Sequence, residues 1–353
     1  MGNSEIKTDS TTSGMNKRDF RLEKVIGRGG FGKVWKAELR KSGRIFAMKE
    51  MLKTRIVKKN SVQSVLNERM LLSIIKHPFI VNMQYAFQDR LNLYLVMDLM
   101  TGGDLRYHLI KNRRFNESQS KFLISCILMG LEYLHINNII HRDIKPENLV
   151  FDNKGYLRIT DFGIAHMLGK DNSDDSSGTP GYMSPEVMLR KCHSIEADYF
   201  ALGVIAYEFM IGHRPYLGKN KKDIREKILI KQIQLKKSDV PKDWSLESAD
   251  FINKLLQRNP KERLGTNGPQ EVKNHAWLAN IEWRKILEKS LESPYKPDFE
   301  DNYDPRVIQE WKEDSDTGVD IDFIQNYFLG YHFDSSAQYQ GMESTLGHPR
   351  KVK

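Results

Sequence analysis

Short alternating runs of apolar and polar residues dominate the chain over residues 20–97. Runs of this kind, bounded by glycine and polar residues, are typical of β-strands. A helical pattern interrupts them over residues 61–75, where Val65, Met70 and Ile74 recur near helical spacing. The first unit is therefore predicted to be small and mostly β, with one helix. Its predicted strand segments are residues 25–26, 34–39, 45–48 and 93–97.

The periodicity changes beyond the Gly102-Gly103 pair. Phe122, Cys126 and Tyr133 follow the spacing of one long helix, and residues 199–210 form an apolar run typical of a buried helix. The second unit, over residues 103–277, is therefore predicted to be mainly helical. Together the two patterns predict an α+β fold.

Both ends of the chain depart from these patterns. Residues 1–19 are rich in Ser, Thr, Asn and Lys and are expected to form a mobile extension. After Trp277 prolines interrupt the chain, and residues 298–322 hold ten acidic residues against two basic ones. An aromatic cluster at 327–333 follows, and a polar tail is predicted over 334–353.

Composition narrows the classes of protein that fit. The formal net charge is +9, but the basic residues are scattered and no stripe of arginines and aromatic residues accompanies them, so we expect no nucleic-acid partner. Cys126 and Cys192 are the only cysteines, which excludes a disulfide framework and favours a reducing compartment.

No feature of the sequence predicts a stable membrane attachment. No apolar run reaches the ~18 residues that a membrane span needs. Gly2 follows Met1, but Ile6 stands where the myristoylation pattern requires Ser or Thr, so membrane contact is expected only if Gly2 is acylated. We expect a cytoplasmic protein, with access to the nucleus left open.

A glycine cluster separates the first two predicted strands. Gly27, Gly29 and Gly32 have a spacing that lets backbone N–H groups approach phosphate oxygens without obstruction by a Cβ atom. Taken alone, the spacing also fits a flexible turn or a dinucleotide-binding fold, which requires a helix immediately afterwards. Residues 33–37 alternate like a strand instead, so the glycines are predicted to form the tip of a hairpin.

The next strand carries a candidate charge anchor. Alternation places Ala47 and Lys49 on one face, where the small residue leaves room for a flat base and the ammonium reaches phosphate. A lone strand lysine is normally a solvated surface residue. Glu68, on the predicted helix, is a candidate partner that would fix its position.

Two sequence motifs carry the strongest indication of function. Residues 141–148 are His-Arg-Asp-Ile-Lys-Pro-Glu-Asn, and residues 161–163 are Asp-Phe-Gly. These strings resemble the catalytic and metal-binding loops of protein kinases, and with the glycine cluster and Lys49 they fill the signature set of that family. The resemblance covers about residues 20–277 and implies a bilobal fold, with an N-lobe over 20–97 and a C-lobe over 103–277.

The resemblance implies ATP as cofactor with Mg²⁺, for which Mn²⁺ can substitute, and transfer of the γ-phosphoryl group to Ser or Thr of protein substrates. Asp143 would accept or orient the hydroxyl proton, Lys145 would steady the transferring group, and Lys49 would hold the phosphates. Asn148 and Asp161 would bind the metal. The residues assigned to the nucleotide site are Ile26, Gly27, Gly29, Gly32, Val34, Ala47, Lys49, Glu68, Met97, Asp98, Leu99, Asp104, Glu147, Asn148 and Asp161.

The same resemblance assigns supporting roles in the second unit. Glu186 would form a buried ion pair with Arg263. Asp198 would steady the backbone of the catalytic loop. Phe200 stands where the family usually has Trp, a departure that concerns packing.

The C-terminal region resembles the tail of the AGC group of protein kinases, which includes the cyclic-AMP-dependent kinase. Segments 294–297, 302–304 and 328–333 follow the order of that tail, which is predicted over 278–333 and whose final aromatics would dock on the small lobe beside the Glu68 helix. His332 stands where many members place a phosphorylatable residue, so docking would depend on burial of Phe328 and Tyr331. A disordered tail is the alternative, and similarity to the YANK kinases leaves the subfamily open.

Regulation and specificity leave alternatives open. Asp175 stands where many AGC kinases place an activating Thr, and it would substitute for the phosphate on that residue. The alternative is that Ser173, Ser176 or Ser177 is phosphorylated.

The preference for substrate sequence is predicted from three acids. Asp104, Glu147 and Glu208 match acids that bind basic residues before the acceptor, which predicts a basophilic preference. The sequence leaves open whether a regulatory subunit or an upstream kinase is a partner. The rival function is a pseudokinase scaffold, although Lys49, Asp143 and Asp161 are all present.

Overall fold

The computed structural model describes residues 14–169, 172, 177–297 and 320–336. The chain divides into two compact units. Among the described residues, the first unit comprises residues 14–60, 83–97 and 320–336, and the second comprises residues 61–82, 98–169, 172 and 177–297.

The first unit is built on an antiparallel sheet of six strands in its described residues. The strands are β1 (Phe20–Arg28), β2 (Gly32–Leu39), β3 (Ile45–Leu52), β4 (Met83–Gln88), β5 (Asn92–Asp98) and β10 (Phe333–Asp334), in the order β1-β2-β3-β5-β4-β10. Phe20, Phe46, Phe87 and Tyr94 form the aromatic centre of its core. The predicted strands are confirmed and extended, while β4 and the short helix α1 (Lys53–Lys58) were not predicted.

The glycine cluster forms the tip of the β1–β2 hairpin, as predicted. The backbone N–H of Gly29 donates to the carbonyl oxygen of Gly32 at 3.0 Å. A Cβ atom on Gly32 would lie 1.7 Å from the carbonyl oxygen of Glu50 on β3, so only glycine fits where these strands approach each other. This close contact fixes the base of the loop against the sheet.

The last residues of the predicted mobile extension are ordered. Lys17–Asp19 form a 3-10 helix, which Asn16 caps in a reciprocal capping box with Asp19. Met15 packs against the aromatic core, and Lys17 pairs with Glu50 at 2.7 Å. The expectation of mobility up to residue 19 was therefore wrong for residues 14–19, because local capping and one apolar contact tie them to the sheet.

The aromatic end of the chain docks on the first unit. Helix α11 (Ile321–Ile324) contacts α1, and β10 pairs with β4, so Asp334, at the predicted start of the polar tail, belongs to the sheet. Phe328 and Tyr331 are 0% and 1% exposed. Burial of these two aromatic residues, predicted from the sequence, is therefore observed, while their expected place beside the Glu68 helix stays a prediction.

A buried lysine anchors this docked segment. Lys53 is 1% exposed, and its Nζ donates to the carbonyl oxygen of Asp89 and to Oε1 of Gln325, each at 2.7 Å. The ammonium also lies 5.7 Å from the ring centroid of Phe328. Burial lowers the pKa of Lys53. Lys53 thus fastens α1 to a segment of the chain 272 residues further on.

We expect Gln325→Ala to destabilise the docked segment by about 1–3 kcal/mol, because it removes an acceptor from a buried ammonium. Hydrogen exchange of the amides in residues 320–334 should accelerate accordingly. Asn326→Ala, at the exposed neighbouring position, is the matched control and should leave exchange unchanged. Equal exchange in both variants would show that the Lys53–Gln325 contact contributes nothing to docking.

The second unit is mainly helical, as predicted. Its described helices are α2 (Val62–Ile74), α3 (Leu105–Asn112), α4 (Glu117–Ile136), α5 (Pro185–Met188), α6 (Glu196–Ile211), α7 (Lys221–Ile230), α8 (Leu246–Leu255), α9 (Pro269–Lys273) and α10 (Trp283–Leu287). The predicted helices α4 and α6 are confirmed. Helix α2 also forms where it was predicted, but it belongs to the second unit and not to the first. Met70 and Ile74 nevertheless lie exposed, and α2 buries Val65, Glu68, Leu71 and Leu72 instead.

Two small sheets place the loops that carry the motifs. Strand β6 (Ile139–Ile140) pairs with β9 (His166–Met167), and β7 (Leu149–Phe151) pairs with β8 (Leu157–Ile159). The motif at 141–148 therefore lies between β6 and β7, and the Asp-Phe-Gly motif lies between β8 and β9. Helices α4 and α6 pack beneath these loops.

The segment at 294–297 docks on the second unit. The Tyr295 hydroxyl is 2.7 Å from Nδ1 of His108 and accepts a hydrogen bond from Nδ2 of Asn112 at 2.9 Å. Its ring packs edge-on against Phe115. The predicted segment at 302–304 lies outside the described residues.

Within the described part of the chain, no helix is both long and apolar enough to cross a membrane. Cys126 is buried in α4, where burial raises the pKa of its thiol to about 12 and disfavours the thiolate at neutral pH. Gly2 lies outside the described residues.

Candidate active site

The carboxylate of Asp143 is held at both oxygens. Oδ1 accepts a hydrogen bond from the Thr179 hydroxyl at 2.8 Å, while Oδ2 accepts from Nζ of Lys145 at 2.6 Å and from Nδ2 of Asn148 at 3.1 Å. The ammonium of Lys145 also donates to the Thr179 hydroxyl at 2.9 Å. Asp143, Lys145 and Asn148, predicted from one motif, are thus brought together, and a hydroxyl group already contacts the carboxylate.

Asp198 holds the backbone of this loop from below. Its two oxygens accept hydrogen bonds from the backbone N–H groups of His141 and Arg142 at 2.9 and 2.8 Å, and Nε2 of His135 lies 2.9 Å away. Burial alone would raise the pKa of Asp198, but these contacts outweigh it and lower the pKa. Arg142 has a φ of +67°, so Asp198 supports a backbone conformation that non-glycine residues rarely adopt.

The Asp-Phe-Gly motif presents its carboxylate and buries its ring. Asp161 is exposed and has a φ of +66°. Phe162 is fully buried and packs against the ring of His141, with centroids 5.1 Å apart. His141 Nε2 is 3.1 Å from the carbonyl oxygen of Thr160, so the two motifs support each other.

The donor set around this motif suits a hard divalent cation. Nδ2 of Asn148 makes the hydrogen bonds to Asp143, which orients Oδ1 of Asn148 as its ligand oxygen. Asp161 supplies a carboxylate. Mg²⁺ is usually bound through one or two such groups together with substrate phosphates and water. In the described residues, no cluster of three His, Cys, Asp or Glu side chains that could hold a metal ion is found.

Helix α2 supports the segment that follows the Asp-Phe-Gly motif. The Ser64 hydroxyl donates to the carbonyl oxygen of Gly163, and Nδ2 of Asn67 donates to that of Ala165 at 2.8 Å. The helix that carries Glu68 therefore fixes the start of this segment. Asp175, Ser173 and Ser176 lie outside the described residues, and phosphorylation of Ser177 stays a prediction.

The predicted phosphate-binding residues of the first unit lie side by side on three strands. Val34 on β2 is paired with Gly27 on β1 and with Lys49 on β3, and Ala47 is paired with Lys36. Glu68 is buried on α2 in the second unit. The proposed Lys49–Glu68 pair, and the nucleotide contacts of Ile26, Gly29 and Gly32, stay predictions.

The residues predicted for the hinge have clear positions within their own units. Met97 is buried at the end of β5. Asp98 accepts hydrogen bonds from Asn82 and Arg158, each at 3.0 Å. Its carboxylate is thus engaged within the protein, and the expected nucleotide contacts of Asp98 and Leu99 are through their backbone.

The three acids predicted to read basic substrates make contacts within the chain. Asp104 caps α3 by accepting from the backbone N–H of Tyr107 at 2.8 Å, and burial raises its pKa. Glu147 and Glu208 both bind the guanidinium of Arg106, at 2.9 and 2.7 Å. The sequence predicted these acids to face substrate and gave Arg106 no role.

Thr179 is a second site residue that the sequence did not single out. Its hydroxyl contacts both Asp143 and Lys145. The Gly-Thr-Pro string at 178–180 was the available signal. Nothing in that string indicates that Thr179 contacts Asp143, which lies 36 positions earlier.

The predicted ion pair of Glu186 and Arg263 is confirmed. The two side chains form a bidentate pair with distances of 2.6 and 3.0 Å, and Arg263 is 0% exposed. The guanidinium also lies 5.0 Å from the ring centroid of Phe200, so the phenyl group at this position packs flat against the pair.

Comparison with known proteins agrees with this geometry. The protein kinase domain model matches residues 20–278. A probable serine/threonine-protein kinase of Dictyostelium discoideum is 37% identical over 94% of this chain and 74% of its own length. The cAMP-dependent protein kinase type 3 of Saccharomyces cerevisiae is 37% identical over 79% of this chain and 69% of its length.

Other relatives are longer. The kinase ypkA of Aspergillus fumigatus is 36% identical over 89% of this chain, which spans 50% of that protein. The serine/threonine-protein kinase sgk-1 of Caenorhabditis elegans is 36% identical over 87% of this chain. Given the domain match, these relatives and the arrangement of Asp143, Lys145, Asn148 and Asp161, the chain belongs to the protein kinase family and resembles its AGC serine/threonine members.

Proposed function

We propose that this protein transfers the γ-phosphoryl group of ATP to serine or threonine hydroxyls of protein substrates. The observation that carries the proposal is the Thr179 hydroxyl, which donates to Oδ1 of Asp143 at 2.8 Å while Lys145 contacts both groups. The carboxylate is therefore positioned to bind an aliphatic hydroxyl beside a cation. A substrate Ser or Thr hydroxyl that takes the place of Thr179 would make the same contacts.

Each residue has a distinct part in this proposal. Asp143 orients the acceptor hydroxyl and takes its proton. Lys145 places positive charge beside the attacking oxygen, where negative charge passes during transfer. Asp198 keeps His141 and Arg142 in the backbone conformation that aims Asp143, and it acts without touching substrate.

The metal role proposed for Asn148 and Asp161 fits their chemistry. Both offer oxygen atoms, and Asn148 is oriented by the hydrogen bonds that its amide nitrogen donates to Asp143. When bound, Mg²⁺ would neutralise charge on the phosphates. Lys49 would add a fixed positive charge. Mn²⁺, which accepts the same oxygen ligands, would be a substitute.

Phosphate transfer from MgATP to degenerate peptide libraries with Ser, Thr or Tyr as the fixed acceptor tests the proposal. We expect Ser and Thr peptides to be phosphorylated and Tyr peptides not to be. Removal of Mg²⁺ by EDTA should abolish transfer, and added Mg²⁺ or Mn²⁺ should restore it. Nucleotide binding without transfer to any library would instead support the alternative, a pseudokinase scaffold.

We also propose that the protein is cytoplasmic and that a regulatory subunit or an upstream kinase is its partner. Experiments in cells would test these proposals. The preference for basic residues before the acceptor also stays a prediction. Two of the acids behind this prediction, Glu147 and Glu208, contact Arg106 of the same chain.

A further inference from the structure

Arg106, in the first turn of α3, lies at the centre of a cluster of acidic and aromatic side chains. Its Nε donates to Glu147 at 2.9 Å, its Nη1 donates to Glu208 at 2.7 Å, and its Nη2 contacts the Tyr182 hydroxyl. The Tyr182 hydroxyl itself donates to Glu208 at 2.7 Å. The side chain of Arg106 is 22% exposed and that of Glu208 only 7%. This is a built site for one guanidinium, which the chain supplies itself.

Arg106 stays charged and Tyr182 stays neutral in this cluster. Burial opposes the charge on Arg106, but its hydrogen bond to Glu208 and the neighbouring carboxylates outweigh burial and raise its pKa. Burial raises the pKa of Tyr182, which therefore remains a neutral hydroxyl. Arg106 therefore stays protonated across the physiological pH range.

The cluster adjoins the place of the acceptor hydroxyl. Tyr182 lines the same cavity as Asp143 and Thr179. Because the Tyr182 hydroxyl also contacts Arg106 and Glu208, we expect a side chain that flanks an acceptor hydroxyl at Asp143 to lie near Arg106 and the exposed part of Glu147. Two convergent carboxylates without Arg106 would form a strong binding site for a substrate arginine, since guanidinium groups bind carboxylates in bidentate geometry.

We infer that Arg106 is a specificity-determining residue that fills the Glu147–Glu208 pocket from within the chain, so that preferred substrates carry an uncharged side chain at the position that contacts this pocket. This inference rests on the proposed kinase function. It narrows the basic preference predicted from the sequence, because two of the three acids behind that prediction already hold an arginine.

A positional peptide array with wild-type protein, Arg106→Ala and Arg114→Ala tests this inference. Arg114 is an exposed arginine just beyond α3, so its replacement removes the same charge without opening the pocket. In Arg106→Ala, we expect the ratio of phosphorylation with Arg to that with Ala to rise at least about tenfold at one position near the acceptor. Wild-type protein and Arg114→Ala should show no such rise. Unchanged ratios in active Arg106→Ala would overturn the inference.

A binding measurement makes the test independent of catalysis. N-acetylarginine methylamide at millimolar concentration should raise the melting temperature of Arg106→Ala and leave that of the wild type unchanged. Arg106→Gln, which retains a hydrogen-bonding side chain against the acids, takes the place of Arg106→Ala if that variant fails to fold. Equal shifts in wild type and variant would overturn the inference. If the wild type transferred no phosphate but Arg106→Ala still bound the arginine derivative selectively, only the proposed function would be overturned.

Discussion

Asp143→Asn lowers kcat by about 10²–10⁴-fold, the usual contribution of a positioned general base. Asparagine keeps the size of the side chain, accepts a hydrogen bond from Lys145 and can donate one to the Thr179 hydroxyl. It cannot take a proton from the acceptor hydroxyl. The loss should therefore appear in kcat, measured by steady-state phosphate transfer at saturating ATP, while ATP binding measured by calorimetry stays within a few-fold of wild type.

The matched control is Asp243→Asn, an identical change at an exposed position of the second unit. It should retain wild-type kcat. If Asp143→Asn also kept wild-type kcat, the hydrogen bonds to Thr179 and Lys145 would be structural contacts, and the assigned role of Asp143 would be wrong.

Glu186→Ala destabilises the second unit by about 3–5 kcal/mol, because it leaves the guanidinium of Arg263 buried without its carboxylate. Three backbone carbonyls, of Gln257, Glu196 and Arg258, would still accept from Arg263, but none carries a negative charge. The midpoint of urea unfolding should fall accordingly. Glu288→Ala, which breaks the exposed Arg284–Glu288 pair, should change stability by only about 0–1 kcal/mol.

The Glu186 pair also predicts a pH dependence. Burial raises the pKa of this carboxyl, but the hydrogen bond and charge of Arg263 outweigh it, so the pKa lies below its usual value of 4.5. A carboxyl whose pKa is lower in the folded state stabilises the fold above the unfolded pKa and loses this effect as pH falls through the folded pKa. The difference in stability between wild type and Glu186→Ala should therefore shrink below about pH 4.5. A difference that is constant from pH 7 to pH 3 would contradict this account.

The strands and helices that the sequence predicts well are those whose burial pattern is regular. Strand β4 was missed because a register shift between Met83 and Tyr85 breaks its alternation. Helix α1 was missed because Lys53, Arg55 and Lys58 make it resemble a surface loop. Its stability comes from Gln325 and Phe328, which lie hundreds of residues away, and no local pattern reports such contacts.

The candidate site also contains residues that the sequence predicts and residues that it does not. The clustering of Asp143, Lys145 and Asn148 was predictable because the three residues lie within one short motif. Arg106 was not predictable, because its role depends on Glu208, 102 positions away, and on Tyr182. A lone arginine after Asp-Leu looks like an ordinary solvated helix residue, and only the folded chain shows the carboxylates around it.

The pairing of β10 with β4 has a practical consequence for anyone who expresses this protein. A chain cut at residue 278, where the family match ends, would lack β10, so the outer edge of β4 would carry unpaired backbone groups next to an open apolar groove. Bare sheet edges of this kind recruit other chains and lead to aggregation. A fragment made for crystallisation or inhibitor screening should therefore extend through residue 336.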